Sequence, residues 1–248
     1  MASEEIKEAV ETKEEVKTEE QPKKKPAISE AKLEIIIAIF LGITTLLTAW
    51  ATWIGSLHGG NQATNYTKSN NVASDANSMY NEANQNLIQD MMLWNMITEY
   101  KFDMVLADAK GDQAQVDLIE EKVDTIVADN CSEKFQDAIT WALENNVSPF
   151  DKEGYIDTYF MEANAKYDEA QALLEEGMKD NKNGDTYNLV TVIYSIVLFL
   201  LGIVGIFKHI PNRLLVLIIA IVLLIAATIF MLQIPMPTGF SLGSFFGQ

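Results

Sequence analysis

Few side chains in this sequence can do chemistry. The 248 residues hold two histidines, His58 and His209, and one cysteine, Cys131. A Ser-His-Asp or Cys-His pair, or a four-ligand zinc site, needs more than these supply within one chain. The densest group of candidate ligands is Asp117, Glu120, Glu121 and Asp124. Asp117, Glu121 and Asp124, at steps of four and three, share one helical face. Carboxylate oxygens so placed could ligate Ca²⁺ or Mg²⁺, and they form the one metal candidate; the competing reading is a solvated acidic face. A di-iron bundle would need Glu-x-x-His pairs, and there are none. Phosphate-cradling glycine motifs, H-E-x-x-H and EF-hand loops are absent too. No cofactor is expected, and nothing offers a nucleophile beside a base, so the chain reads as a non-enzyme.

The elements that would position any site are set by three uncharged windows: Ile35–Leu57, Leu189–Phe207 and Leu214–Ile234. Each is close to the roughly 20 residues that a helix needs to cross about 30 Å of hydrocarbon. They predict transmembrane helices at 33–57, 188–207 and 214–234. The first has a long polar lead and no small-residue cleavage site, so it reads as an uncleaved signal anchor. Lys23, Lys24, Lys25 and Lys32 precede it, and Lys208 and Arg213 lie in the link 208–213. The positive-inside rule puts both clusters in the cytoplasm. Residues 58–187 and the C-terminal tail 235–248 then lie outside, with Trp50 and Trp53 at the outer interface.

The net charge is −17, and most of it falls in the external segment. Such a surface repels nucleic acid, so no nucleic-acid partner is expected. Residues 1–32, acidic and carrying PKKKP at 22–26, lack spaced large apolar residues and read as a disordered tail whose lysines can rest on inner-leaflet lipid. Cys131, as an odd thiol outside the membrane, either fills a small half-buried site or pairs with another chain. Three Asn-x-Ser/Thr matches, at Asn65, Asn130 and Asn146, are what chance gives in an Asn-rich chain.

The first span carries small residues at Ala38, Gly42, Thr45, Ala49, Thr52 and Ser56, in steps of four and three. Small residues let helices approach closely in membranes. The same count continues through Asn70, Ala73, Asn77, Tyr80, Asn84 and Leu87 without a slip. This predicts one helix from the bilayer to about Ala109, rising about 75 Å beyond it, and an oligomerisation seam along it. Asparagine in such a seam weakens a coiled coil but fixes its register. Lys110-Gly111-Asp112 reads as the stop. Helices are expected at 112–128 and 132–146, then a loop over 147–154. A returning helix is expected at 155–180, broken by NKNGD at 181–185. The fold class is therefore an all-α membrane protein, with three spans and an extracytoplasmic helical hairpin or coiled coil bearing a small helical cap.

The order of motifs is also familiar: TAWATWIGSLHGG, then FQDAITW at Phe135–Trp141, then SPF at Ser148–Phe150. DTYNLVTV at Asp185–Val192 and LFLLGI at Leu198–Ile203 follow. Over about residues 35–237 this resembles a family of uncharacterised prokaryotic three-span membrane proteins. The resemblance implies the layout and no activity.

The expected function is that of an integral envelope protein. It would self-associate along Gly42–Leu87 and work through protein contacts of its external domain, with lipid, a second copy and other envelope proteins as partners. The alternatives are a sensor relaying through a partner, or an oligomeric channel or transport-complex subunit lined by Thr44, Thr45, Thr48 and Thr52. The spans contain no ionisable residue that a transporter would use at depth. Whether the seam closes on another chain or on helix 155–180 stays open.

Overall fold

The computed structural model describes residues 30–207, 212–241 and 243, and the described chain is helical with no strand. Its helices are α1 (Glu30–Ala109), α2 (Gln113–Asn130), α3 (Glu133–Asn145), α4 (Asp157–Ile206) and α5 (Arg213–Leu232), with a 3₁₀ turn at Pro149–Asp151. The tail 1–29, and with it Lys23–Lys25, lies outside the described residues, as do Lys208 and His209. Among the described helices α1, α4 and α5 are long and apolar enough to cross a membrane.

The punctuation follows local chemistry. Helix α1 runs through Gly59 and Gly60 unbroken. It ends where Gly111 takes φ +73°, a region that L side chains rarely adopt, and the Asp112 N–H turns back to the Ala107 carbonyl at 3.1 Å. The Asp112 carboxylate then accepts from Gln115 N–H and starts α2. Ser132 caps α3 in the same way through Phe135 N–H. Asn146, left-handed at φ 54°, closes α3, with Val147 N–H on the Ala142 carbonyl.

One expected break is absent. NKNGD does not end the returning helix: α4 is continuous from Asp157 to Ile206. Gly184 is there to let helices meet. A Cβ on it would lie 3.4 Å from the His58 Cβ and 3.5 Å from the Gly55 carbonyl. Close packing outweighs the propensity of a single glycine, which is about 1 kcal/mol.

Two compact units divide the described chain. In the first, reaching Leu47 on α1 and covering Ile193–Ala227, the inward side chains keep heptad steps. They are Tyr194, Val197, Leu201 and Val204 on α4, and Leu217, Ala220, Leu224 and Ala227 on α5. Ile37 and Thr44 face inward from α1, and the Thr44 hydroxyl donates to the Phe40 carbonyl at 2.7 Å. Arg213 Nε donates to the Val204 carbonyl and caps the end of α4. Large apolar residues such as Leu46, Phe199 and Val222 point outward. In the three most apolar windows only 17%, 28% and 28% of residues are buried. An apolar surface on that scale suits lipid rather than water.

The second unit, Thr48–Val192 with Thr228 onward, is an antiparallel hairpin of α1 and α4 with α2 and α3 at its far end. Helix α1 buries Ser69, Ala76, Ala83, Asp90 and Ile97, each seven residues apart. Ala163, Ala170, Gly177 and Gly184 on α4 have the same period and are also buried. With side chains this small the backbones nearly touch: the Ser69 hydroxyl donates 2.7 Å to the Ala170 carbonyl. At Gly177 a Cβ would sit 2.5 Å from the Tyr66 ring. The far end has its own core of Ile97, Ile119, Val123, Cys131, Phe135, Ile139 and Tyr155.

Candidate functional site

The small-residue heptad of α1 is interrupted at Asp90, a carboxylate only 7% exposed. A buried charge needs strong partners. The turn before α4 and its first turn supply them: Tyr155 Oη donates to Asp90 Oδ2 at 3.2 Å, and Tyr159 Oη donates to the same oxygen. The two hydroxyls also bond each other. The residues come from positions 65 and 69 apart in sequence, which the hairpin register brings together.

Beside this triad lies an open cleft of about 750 Å³ where α2 hands over to α3. Asp90, Asp129, Glu133 and Glu162 line it with Lys134 and Cys131. It is rich in acceptors and poor in reactive groups. Burial, then the field of Asp90, pushes the Cys131 thiol up to about 11. Burial pushes both tyrosine hydroxyls well above the ordinary range, and for Tyr159 the bond to Asp90 adds to it. The thiol therefore stays protonated at neutral pH. Cys131 is also a buried residue, packed in the far-end core at the edge of the cleft. We expect iodoacetamide to modify Cys131 in the folded protein at least tenfold more slowly at pH 7 than in the denatured chain. The rate should climb about tenfold per pH unit toward pH 11. Mass spectrometry of the alkylated peptide measures both. Because the folded pKa is the higher one, the thiol favours the folded state below its unfolded pKa, and that contribution is lost as pH rises toward 11.

A second polar cluster closes the other end of the hairpin. His58, 1% exposed, places Nδ1 2.7 Å from Asp180 Oδ1 on α4 and Nε2 3.1 Å from the Pro235 carbonyl. Tyr187 stacks on its ring. Asn61 Nδ2 donates to the Thr238 carbonyl, and Phe240 packs edge-on against Trp50 and Trp53.

The residues singled out in the sequence separate. Asp117, Glu121 and Asp124 are exposed on α2. Asp117 accepts from Gln113 Nε2 on its own helix. Asp124 lies near Lys101, whose ammonium is lowered by burial and partly restored by that carboxylate. Among the described residues no group of three or more His, Cys, Asp or Glu is gathered so as to hold a metal. Within the chain none of Gly42, Thr45, Ala49, Thr52, Asn70, Ala73, Asn77, Tyr80, Asn84 and Leu87 is buried. The heptad buried within the chain is the neighbouring one, Ser69–Ile97. Asn77 and Tyr80 touch α4 from the flank, through Tyr167 Oη at 2.6 Å and the Phe160 ring at 4.8 Å. Thr45 and Thr52 donate their hydroxyls to the Leu41 and Thr48 carbonyls of their own helix.

No protein-family model, curated protein or solved structure matches this chain.

Proposed function

We propose that this is an integral membrane protein that acts through protein contacts and not catalysis. It would self-associate along the flank of α1, with residues 58–187 outside the cell membrane and the N-terminus inside. The observation that carries this reading is the division of labour on α1. One heptad, Ser69–Ile97, is buried within the chain, against α4 and, at Ile97, in the far-end core. The adjacent stripe from Gly42 to Leu87 keeps the same period for more than six heptads, and none of its singled-out residues is fully buried within the chain, although Asn77 and Tyr80 touch α4 from the flank. A helical period kept over such a length on a face that the chain leaves largely exposed fits use by a second copy or an envelope partner.

The chemistry of the cleft supports the non-catalytic part. Its thiol and phenols are held neutral, and no imidazole lies among its lining residues. Lysines and Arg213 at the ends of the spans support the orientation.

Native mass spectrometry from mild detergent tests the reading. The wild type is expected as a dimer or higher oligomer. The double variant Ala49→Leu, Asn77→Lys should associate at least tenfold more weakly, about 1.4 kcal/mol. A wild type that is monomeric at every concentration overturns it.

A further inference from the structure

Near its far end α1 is apolar on two faces. The inward face, Leu93, Trp94, Ile97, Tyr100 and Met104, packs in the far-end core. The outward face carries Ile88, Met91, Phe102 and Val105, which are 56%, 47%, 64% and 62% exposed. Together with Asn95 and Thr98, also exposed, they form a line in steps of three and four. Such steps make a coiled-coil seam. A helix that packs on one side only turns charged and polar residues to water on the other. None of these six positions is charged. The charges of this stretch fall elsewhere. Asp90 is buried, Lys101 lies near Asp124, and Glu99 and Asp103 sit at the edge of the line.

The line continues the asparagine stripe. Asn70, Asn77 and Asn84 are followed, at the same interval of seven, by Met91, Thr98 and Val105. Met92 and Leu106 flank the line at 66% and 44% exposed. These six large apolar side chains each leave on the order of 100 Å² open, which approaches the roughly 800 Å² a side of a standard interface. Apolar surface on that scale outside a membrane marks a contact site.

We propose that a second copy of the chain docks along Ile88–Val105, with the two α1 helices parallel, and that this membrane-distal line supplies most of the binding energy. The inference rests on the self-association proposed above and names its strongest contact. Charge selects the occupant. The external segment is strongly acidic, so two copies repel wherever their charged faces meet, and an uncharged line is where they can close. A basic partner would be drawn to carboxylates, which the line lacks. The membrane sets the direction. Both α1 helices enter it the same way, so equivalent residues face each other across a two-fold axis, Phe102 against Phe102. Buried aromatic anchors carry much of the energy of an interface, whereas asparagine in a seam sets register at a cost in stability. Asn70, Asn77 and Asn84 then align the copies, and the line beyond them holds the copies together.

The test uses the full chain, in native membranes and in mild detergent. On a Cys131→Ala background, Phe102→Cys should form interchain disulfides, and Met178→Cys, 57% exposed on α4, should not. In detergent the double variant Met91→Ser, Phe102→Ser should associate roughly a hundredfold more weakly than the wild type. Leu118→Ser removes an apolar side chain that is 60% exposed on α2, off the line. It should change association by less than about threefold. If the wild type associates and Ala73→Cys crosslinks while Phe102→Cys does not, this proposal is overturned and self-association stands. A wild type that is monomeric overturns both. Equal weakening by Leu118→Ser overturns the proposal too, because the line would then be no special contact. Circular dichroism confirms that each variant keeps its helices, and the Phe102→Cys crosslink decides the matter if the double variant fails to fold.

Discussion

Ala76→Leu destabilises the hairpin by about 2–3 kcal/mol, while Asn70→Leu, less than two turns away on the same helix, changes it by less than about 0.5 kcal/mol. Ala76 has no exposed surface and lies in the heptad that meets α4. The Ser69 hydroxyl reaches the Ala170 carbonyl at 2.7 Å one heptad earlier, so the backbones leave no room for three more carbons. Leucine must then either leave its preferred rotamer or push α4 away. Pushing α4 away also strains Ser69–Ala170 and the fit of Tyr66 over Gly177. Asn70 is exposed and meets no such wall. Thermal unfolding in detergent, followed by far-ultraviolet circular dichroism, compares the two. Equal effects would mean that the inward phase is wrong.

Phe135→Ala has the largest expected effect, about 4 kcal/mol, and it melts the far end of the hairpin first. The ring is fully buried and centres an aromatic cluster: Phe150 at 5.9 Å and Tyr155 at 6.4 Å between centroids. Alanine leaves a cavity under Tyr155, and that tyrosine is a donor to Asp90. Losing its position exposes the carboxylate that the two phenols compensate, so the loss spreads from packing to the polar triad. Leu143→Ala is the control. It lies on the same helix, is 48% exposed and should cost less than about 0.5 kcal/mol. Hydrogen exchange locates the damage: α2 and α3 lose protection in Phe135→Ala while the Ser69–Ala170 region keeps it. Uniform loss along the hairpin would contradict a separate far-end core.

The parts of this fold that were legible in the sequence are those set by local chemistry. The spans follow from uncharged length, and Gly111 and Ser132 punctuate helices because a left-handed turn and an N-cap each need those residue types. The break expected at NKNGD failed because Gly184 answers to Gly55 and His58 across the hairpin, and no rule of propensity sees that contact. The phase of the hairpin was hidden for a similar reason. Alanines recur in more than one heptad of α1, and the asparagine stripe was conspicuous while the packed stripe, Ser69, Ala76 and Ala83, was not. A signal did exist: the same heptad runs on into Asp90 and Ile97, and a charge at an inward phase asks for buried donors. His58 likewise falls on the seven-residue series Ile37, Thr44, Ala51, all buried. Tyr155 and Tyr159 bear no mark of their role, since only the register of the folded hairpin brings them to Asp90.

The proposal turns on one heptad of α1 being buried within the chain while its neighbour, touched by α4 only from the flank, meets another copy. Disulfide crosslinking in native membranes tests it most directly, on a Cys131→Ala background with single cysteines placed in turn at Ala73 and Ala76. The account predicts interchain dimers from Ala73→Cys and none from Ala76→Cys. Dimers from Ala76→Cys, or their absence at Ala73→Cys, would contradict it.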